Sequence, residues 1–157
     1  MVSFSGLVLW CQKRIFRSGL NDKFDENQPF MEAGKPKKIF IVDDDTMLTT
    51  ALEDYLTRTI AHQIRSFNSG EECLKCLTEE PDIIILDYVL NTVQKDAATG
   101  LEILHLIKKH NPSLRVIMLS GQEQYGIATK TIQQGAEQYV VKDEQAFEKI
   151  SRIINEI

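Results

Sequence analysis

The sequence predicts an α/β protein with a doubly wound, five-stranded parallel sheet and helices on both faces. Five short strand segments alternate with stretches whose apolar residues recur at helical spacing. The segments 39–42 and 83–86 are continuous apolar runs, whereas 63–67 is a weaker strand. Unbroken runs are typical of parallel strands that helices cover on both faces, and right-handed crossovers connect such strands. The 157-residue chain is long enough for one domain of this kind, and its 43% of hydrophobic residues can form the core.

The predicted elements follow one another without long gaps. The strands lie at 39–42, 63–67, 83–86, 114–119 and 138–141, and the helices at 46–60, 70–77, 100–110, 122–134 and 144–157. Ser69 and Glu72 match a capping box at the start of the second helix. The third helix is expected to end at Asn111 and Pro112, and Gly135 suits the position after the fourth helix.

The N-terminal segment 1–34 differs from the domain predicted at 35–157. It holds four basic and four acidic residues, so the net charge of −5 (18 Lys+Arg against 23 Asp+Glu) belongs to the domain. Pro29 and Gly34 interrupt any regular pattern, and we expect a flexible tail. A native tail and a non-native extension upstream of Met31 both fit the sequence.

Composition disfavours several function classes. An acidic chain lacks the basic surface of a general nucleic-acid binder. No apolar run approaches the ~20 residues that span a bilayer, and no basic residue precedes the apolar stretch 4–10 as in a secretory signal. We therefore expect a cytoplasmic protein without membrane contact. Cys73 and Cys76 form a CxxC pair with no second pair at zinc spacing, so packed thiols are favoured over a metal or redox site.

Polar residues follow four of the five predicted strands, at the point where each strand ends. They are Asp43, Asp44 and Asp45 after the first strand, Asp87 after the third, Ser120 after the fourth and Lys142 after the fifth. Singly, each has a structural explanation, such as a helix cap for Asp45 or a solvated charge for Lys142. Together they point to one site, because ligands of doubly wound sheets bind beyond the carboxyl ends of the strands.

The residue types at this edge indicate phosphoryl transfer assisted by Mg²⁺. Two carboxylates about 4 Å apart repel by roughly 4 kcal/mol at an effective dielectric near 20, so a cation is needed among them. Carboxylate and water oxygens suit Mg²⁺, whereas the absence of thiol and imidazole at these strand ends disfavours zinc. One carboxylate can then attack phosphorus, while a hydroxyl and an ammonium hold the phosphoryl oxygens.

Four segments in this order resemble the response-regulator receiver domain of two-component signalling. They are 39–45, 81–87, 116–121 and 135–142, and the resemblance covers about 37–157. It implies a flavodoxin-like fold of the receiver type. The implied metal ligands are Asp43, Asp44, Asp87 and the backbone carbonyl of Val89, with Asp44 in direct contact, Asp43 acting largely through water and Asp45 as a rival for the acidic pair. The implied catalytic residues are Asp87 as phospho-acceptor, Ser120 and Lys142, and the implied switch residues are Ser120 and Tyr139.

The resemblance also implies partners. A sensor histidine kinase or a histidine phosphotransfer protein would donate the phosphoryl group. No output module follows the last predicted helix, so we expect signalling through a conformational switch and docking on an unidentified downstream protein, without direct nucleic-acid binding. Enzymatic activity would be limited to self-phosphorylation and autodephosphorylation.

Two positions depart from the receiver pattern. Asp143 follows Lys142, where the family usually has proline, and we expect it to place a carboxylate near the site. Asn91 stands where a second proline is usual, and the segment 92–99 delays Gly100. The loop after the third strand is therefore expected to be long for the family, with an effect on kinase docking or on phosphate lifetime.

Two alternatives stay open. A receiver fold that no longer accepts phosphate would act only as a partner-binding module, and the long loop and missing proline favour it. A haloacid-dehalogenase-like phosphatase would use Asp43 and Asp45 in an Asp-x-Asp pattern. However, Met47 stands where threonine or valine is required, and Asp87 would have no role.

Overall fold

The structure is a computed structural model that describes residues 36–58, 61–90, 98–122 and 125–157. The predicted tail at 1–34 lies outside the described residues. Five strands form one sheet: β1 is Lys38–Val42, β2 is Gln63–Phe67, β3 is Ile83–Asp87, β4 is Arg115–Ser120 and β5 is Gln138–Val141. Neighbouring strands all pair in parallel, in the order β2-β1-β3-β4-β5. The prediction of a doubly wound, five-stranded parallel sheet is confirmed.

Helices connect the strands. They are α1 at Thr46–Thr57, α2 at Gly70–Lys75, α3 at Gly100–His110, α4 at Tyr125–Gln133 and α5 at Ala146–Glu156, with a 3₁₀ turn at Leu77–Glu79 after α2. Side chains cap three helix starts, because Asp45, Ser69 and Thr99 each accept from backbone N–H groups of the following turn. Among the described residues, no helix combines the length and the apolar content required to cross a membrane.

Some predicted helix ends differ from the structure. The second helix was expected to continue to residue 77, but the N–H of Cys76 bonds back to the carbonyl of Cys73, three residues earlier, and a 3₁₀ turn replaces the α-helix. Residue 122, the predicted start of the fourth helix, lies outside that helix, and the fifth helix begins at Ala146 instead of residue 144. In both cases residues ahead of the helix form side-chain or loop hydrogen bonds that the helical pattern does not reveal.

Two clusters of buried side chains lie on opposite faces of the sheet. Alternate residues of a strand point to opposite faces, so Phe40 belongs to one cluster and Ile41 to the other. The first cluster includes Ile103 of α3, and the second includes Leu52 of α1 and Ile150 of α5. Burying each such aliphatic side chain contributes roughly 1.5–3 kcal/mol, which fixes the central strands and therefore the edge at which they end.

The two described cysteines lie in and beside the first cluster. Cys73 is fully buried, and burial raises the pKa of its thiol to about 12. Because the thiolate is the nucleophile and the metal ligand, this thiol stays inert at neutral pH. Cys76 is partly buried and packs against the same cluster. The structure thus supports the interpretation of packed thiols.

Backbone hydrogen bonds continue beyond the strand ends and hold the residues that follow them. Asp43 N donates to the carbonyl of Phe67, and Tyr88 N donates to that of Leu119. Lys142 N donates to the carbonyl of Ser120 at 2.7 Å. The strand order reverses at β1 and β3, and the crevice at such a reversal is the usual ligand position in open α/β sheets.

Candidate functional site

A cavity of about 500 Å³ opens at the carboxyl edge of the sheet. It is lined by Asp43, Asp44, Asp45, Asp87, Val89, Gly121, Gln122 and Lys142. Every metal ligand predicted from the sequence lines it, together with Lys142. Ser120 ends β4 beside this group and is fully buried.

Three carboxylates meet in this cavity. Asp43 follows β1 and Asp87 ends β3, and both side chains are buried, whereas Asp44 is half-buried. One oxygen from each of the three lies within 4.8 Å of the others. Carboxylates at such separations repel strongly outside bulk water, so the arrangement requires positive charge nearby.

Lys142 supplies part of that charge. Its Nζ lies 2.7 Å from Oδ2 of Asp43 and 3.1 Å from Oδ1 of Asp87. One ammonium therefore bridges the ends of β1 and β3 from the end of β5. The three converging carboxylates carry two more negative charges than this one ammonium balances, which is a suitable environment for a divalent cation.

Asp44 gives the clearest indication that a cation fits. Its Oδ2 is buried and accepts no hydrogen bond from the part of the chain that the structure describes. A buried carboxylate oxygen without a partner is costly. Hard cations such as Mg²⁺ bind carboxylate oxygens of this kind, and the donor set of Asp43, Asp44 and Asp87 contains no thiol or imidazole.

The electrostatic environment shifts two ionisable groups. Burial raises the pKa of Asp87 to about 6, with a further contribution from the charge of Asp43, while Lys142 and the backbone N–H of Val89 act in the opposite direction. Burial alone would lower the pKa of Lys142, but its bonds to Asp43 and Asp87 outweigh burial and raise that pKa. Asp87 is thus a partly destabilised carboxylate beside a firmly protonated lysine.

Asp45 lines the cavity but serves as the N-cap of α1. Its Oδ1 accepts hydrogen bonds from the N–H groups of Met47 and Leu48, which caps α1. Its own N–H donates to Oδ1 of Asp43 at 3.0 Å. Asp45 does not belong to the cluster of converging carboxylate oxygens, so the geometry favours Asp43 and Asp44 over Asp45 as the acidic pair.

The two predicted switch residues are connected through one loop residue. Oγ of Ser120 accepts from Gln122 N at 3.1 Å, and the hydroxyl of Tyr139 donates to the carbonyl of Gln122 at 2.6 Å. Tyr139 is partly buried against the first core cluster. The sequence analysis missed Gln122, because it acts through main-chain atoms, which leave no signal in residue type.

Asp143, which was expected to place a carboxylate near the site, follows Lys142 but does not itself line the cavity. Oδ1 accepts from Gln145 N at 2.9 Å, and Oδ2 lies 2.7 Å from Nζ of Lys149. The bond to Lys149 is the main reason that the pKa of Asp143 is lowered. Asn91 and most of the loop that was expected to be long lie outside the described residues. Ala98 N, near the end of that loop, donates to Oε1 of Glu71.

Comparisons with known proteins agree with this geometry. A family model for the response regulator receiver domain matches residues 39–155. Chemotaxis protein CheY of Listeria monocytogenes is 32% identical over 110 residues, covering 69% of this chain and 88% of that protein. The DNA-binding transcriptional regulator NtrC of Proteus hauseri is 31% identical over 105 residues, covering 66% of this chain but only 21% of NtrC.

A solved structure gives the same result. The BeF₃-activated receiver domain of DrrB, from Thermotoga maritima, superposes with a TM-score of 0.62 at 26% identity, covering 76% of this chain and 95% of that chain. The chain thus matches receiver domains over nearly their full length, but spans about a fifth of the longer regulator NtrC.

Proposed function

Because the chain belongs to the response regulator receiver domain family, we propose that it accepts a phosphoryl group on Asp87 in a Mg²⁺-dependent reaction. The donor would be a phosphohistidine of a sensor histidine kinase or a histidine phosphotransfer protein. The observation that best supports this proposal is the position of Lys142 Nζ between Asp43 and Asp87, in the cavity that Asp44 also lines.

Asp43, Asp44 and Asp87 would hold the ion, with Asp44 in direct contact, and we propose the carbonyl of Val89 as a further ligand. Bound Mg²⁺ supplies charge neutralisation that lets an anionic phosphoryl group approach a carboxylate. The rest of the chemistry belongs to side chains of this chain. The same ion would remove the repulsion among the three carboxylates, so binding would also stabilise the fold.

In the proposed transfer, a carboxylate oxygen of Asp87 forms a bond to phosphorus. The P–N bond of the donor breaks, and the imidazole nitrogen keeps its electron pair. Lys142 donates a hydrogen bond to an oxygen of the transferred group. This bond replaces the contact that its Nζ makes with Oδ1 of Asp87 in the structure. With a pKa of about 6, Asp87 is mostly ionised at neutral pH, as a nucleophile must be.

The switch would follow from the new acceptor oxygens. Ser120 Oγ, which now accepts from Gln122 N, would turn its hydroxyl hydrogen toward the phosphoryl group. Movement of Oγ toward the phosphoryl group would lengthen its bond from the Gln122 N–H, and Tyr139 is bonded to the carbonyl of the same residue. Movement of this loop would carry the signal from the site to the surface around β5.

We further propose that the output is docking on a downstream protein in the cytoplasm, without direct contact to nucleic acid, and that turnover is limited to the protein's own phosphorylation and dephosphorylation. The acidic net charge of −5 supports a protein partner over nucleic acid.

Incubation with acetyl phosphate and Mg²⁺, followed by intact mass measurement, tests the proposal. We expect the wild type and Asp45→Asn to gain one phosphoryl group, and Asp87→Asn to gain none. The Asp45 variant is the matched control, because it removes the same charge from the same cavity and keeps the helix cap. A folded wild type that reacts with neither acetyl phosphate nor phosphoramidate would instead support a partner-binding module.

A further inference from the structure

All the polar groups of Asp143 are engaged in the turn between β5 and α5. Its N–H donates to the carbonyl of Val141 at 2.8 Å, and its carbonyl accepts from Ala146 N at 3.0 Å. Its two carboxylate oxygens accept from Gln145 N and from Nζ of Lys149. One residue thus ties the end of β5 to the first turns of α5.

Ala146, at the start of α5, is buried in the second cluster, but few other hydrogen bonds hold this turn among the described residues. The last sheet bond of β5 is donated by Lys142 N to Ser120. The cap residue of α5, Gln145, makes no side-chain capping bond, and the carboxylate of Asp143 bonds the free N–H of Gln145 instead. The backbone direction immediately after Lys142 is therefore set by Asp143.

That direction matters because of the side chain of Lys142. A lysine has a flexible four-carbon stem, so fixing its ammonium in one place costs entropy and depends on a fixed main chain. Here the ammonium must lie within 2.7 Å of Asp43 and 3.1 Å of Asp87 simultaneously. The neighbouring carboxylate of Asp143 could compete for the same ammonium, but Lys149 neutralises it at 2.7 Å.

We propose that Asp143, paired with Lys149, is a positioning residue that holds Lys142 for phosphoryl transfer. The inference rests on the proposed function. Asp143 itself touches neither the phosphoryl group nor the ion and acts through Lys142. Receiver domains usually have proline at this position, and its ring restricts the backbone. Here the hydrogen bonds of Asp143 and its ion pair with Lys149 restrict the backbone instead.

The rate of phosphorylation by acetyl phosphate with Mg²⁺ tests the proposal. We expect Asp143→Ala to slow the reaction about tenfold, since small displacements of a catalytic group have effects of this order or larger. Asp143→Asn keeps the acceptor for Gln145 and should lie between Asp143→Ala and wild type. Lys149→Arg keeps the ion pair and should stay within about twofold of wild type. Glu148→Ala, which removes an exposed carboxylate from the same helix, should leave the rate unchanged.

A double-mutant cycle separates positioning from a general effect on the fold. If Asp143 acts through Lys142, Asp143→Ala should have no further effect in a Lys142→Met background. The ¹H–¹⁵N signal of the Lys142 ammonium is an independent measurement. We expect it to be protected in wild type and Lys149→Arg, and broadened by exchange in Asp143→Ala, with urea unfolding confirming that every variant is folded.

The outcomes distinguish the inference from the proposed function. If the wild type reacts and Asp143→Ala reacts at the wild-type rate, the positioning role is overturned and the proposed function stays intact. Additive effects of the Asp143 and Lys142 substitutions also overturn it. A wild type that does not react overturns the proposed function, and the ammonium signal then still decides whether Asp143 fixes Lys142.

Discussion

The hydroxyl of Tyr139 donates to the main-chain carbonyl of Gln122 at 2.6 Å. The N–H of the same residue donates to Oγ of Ser120 at 3.1 Å. Ser120 at the end of β4 and Tyr139 on β5 are therefore both hydrogen-bonded to the main chain of Gln122. Gln122 thus links the hydrogen bond of the Ser120 side chain to that of the Tyr139 hydroxyl.

This relationship predicts a coupled response to a phosphoryl mimic. Beryllium fluoride with Mg²⁺ forms a tetrahedral group on a carboxylate, and we expect it to shift the NMR signals of both the Gln122 amide and the Tyr139 ring. In Ser120→Ala the Tyr139 shift should be lost, while Tyr88, next to the acceptor, still responds. Ser113→Ala, at an exposed serine, is the matched control. A Tyr139 shift of full size in Ser120→Ala would contradict the coupling.

The raised pKa of Asp87 predicts that the metal-free protein loses stability as the pH rises. The folded protein binds the Asp87 proton more tightly than the unfolded chain, so stability falls between the ordinary pKa of 3.8 and the folded value of about 6. This difference corresponds to roughly 3 kcal/mol. In urea unfolding without divalent ions, Asp87→Asn should exceed the wild type in stability at pH 8, and the advantage should disappear near pH 4. An advantage that is independent of pH would exclude this explanation.

The unpartnered oxygen of Asp44 predicts metal-dependent stabilisation. Mg²⁺ at 100 times its dissociation constant should stabilise the wild type by about 2.7 kcal/mol. Asp44→Asn should lose most of this gain, and Asp45→Asn should retain it, because Asp45 caps α1 and asparagine caps equally well. Thermal unfolding over a MgCl₂ titration measures both. Equal losses in the two variants would mean that the cavity attracts the ion only through its net charge.

Gly100 predicts a steric effect at the acceptor. A Cβ at this position would lie 2.1 Å from the carbonyl oxygen of Asp87 and 2.8 Å from Cα of Tyr88. Gly100→Ala should therefore destabilise the fold by about 1–3 kcal/mol. Gly126→Ala places its Cβ in open space within α4 and should stabilise slightly, by up to about 1 kcal/mol. Urea unfolding of the two variants measures both effects. If Gly100→Ala and Gly126→Ala are equally stable, the backbone around Asp87 moves enough to accommodate the extra methyl group.

The sequence was sufficient to predict the sheet and the residues at its edge. The strands that precede these residues are mostly apolar, whereas β2 is more polar. The carboxyl ends of parallel strands lie at one edge of the sheet, so Asp43, Asp87 and Lys142 could be assigned to that edge from their positions alone. The receiver resemblance supplied what position could not, namely which carboxylate accepts the phosphoryl group. That assignment remains a prediction.

Other features depend on contacts that residue type does not encode. The 3₁₀ turn after α2 ends at Glu80, whose left-handed backbone (φ 54°) is unusual for a residue other than glycine. Gln122, expected in the fourth helix, lies outside it, and its main chain is bonded to Ser120 and Tyr139. Asp143 was expected at the site because it follows Lys142 in sequence, whereas Lys149, one helical turn beyond Gln145, pairs with it instead.

We propose that Asp87, and not Asp43, Asp44 or Asp45 of the same cavity, forms the acyl phosphate. Borohydride reduces an acyl phosphate to an alcohol and so converts the reacted aspartate into homoserine, which peptide mass spectrometry can locate. After incubation with acetyl phosphate and Mg²⁺ and reduction with borohydride, we expect homoserine at position 87 only. Homoserine at position 43, 44 or 45 in a chain that has gained one phosphoryl group would contradict it.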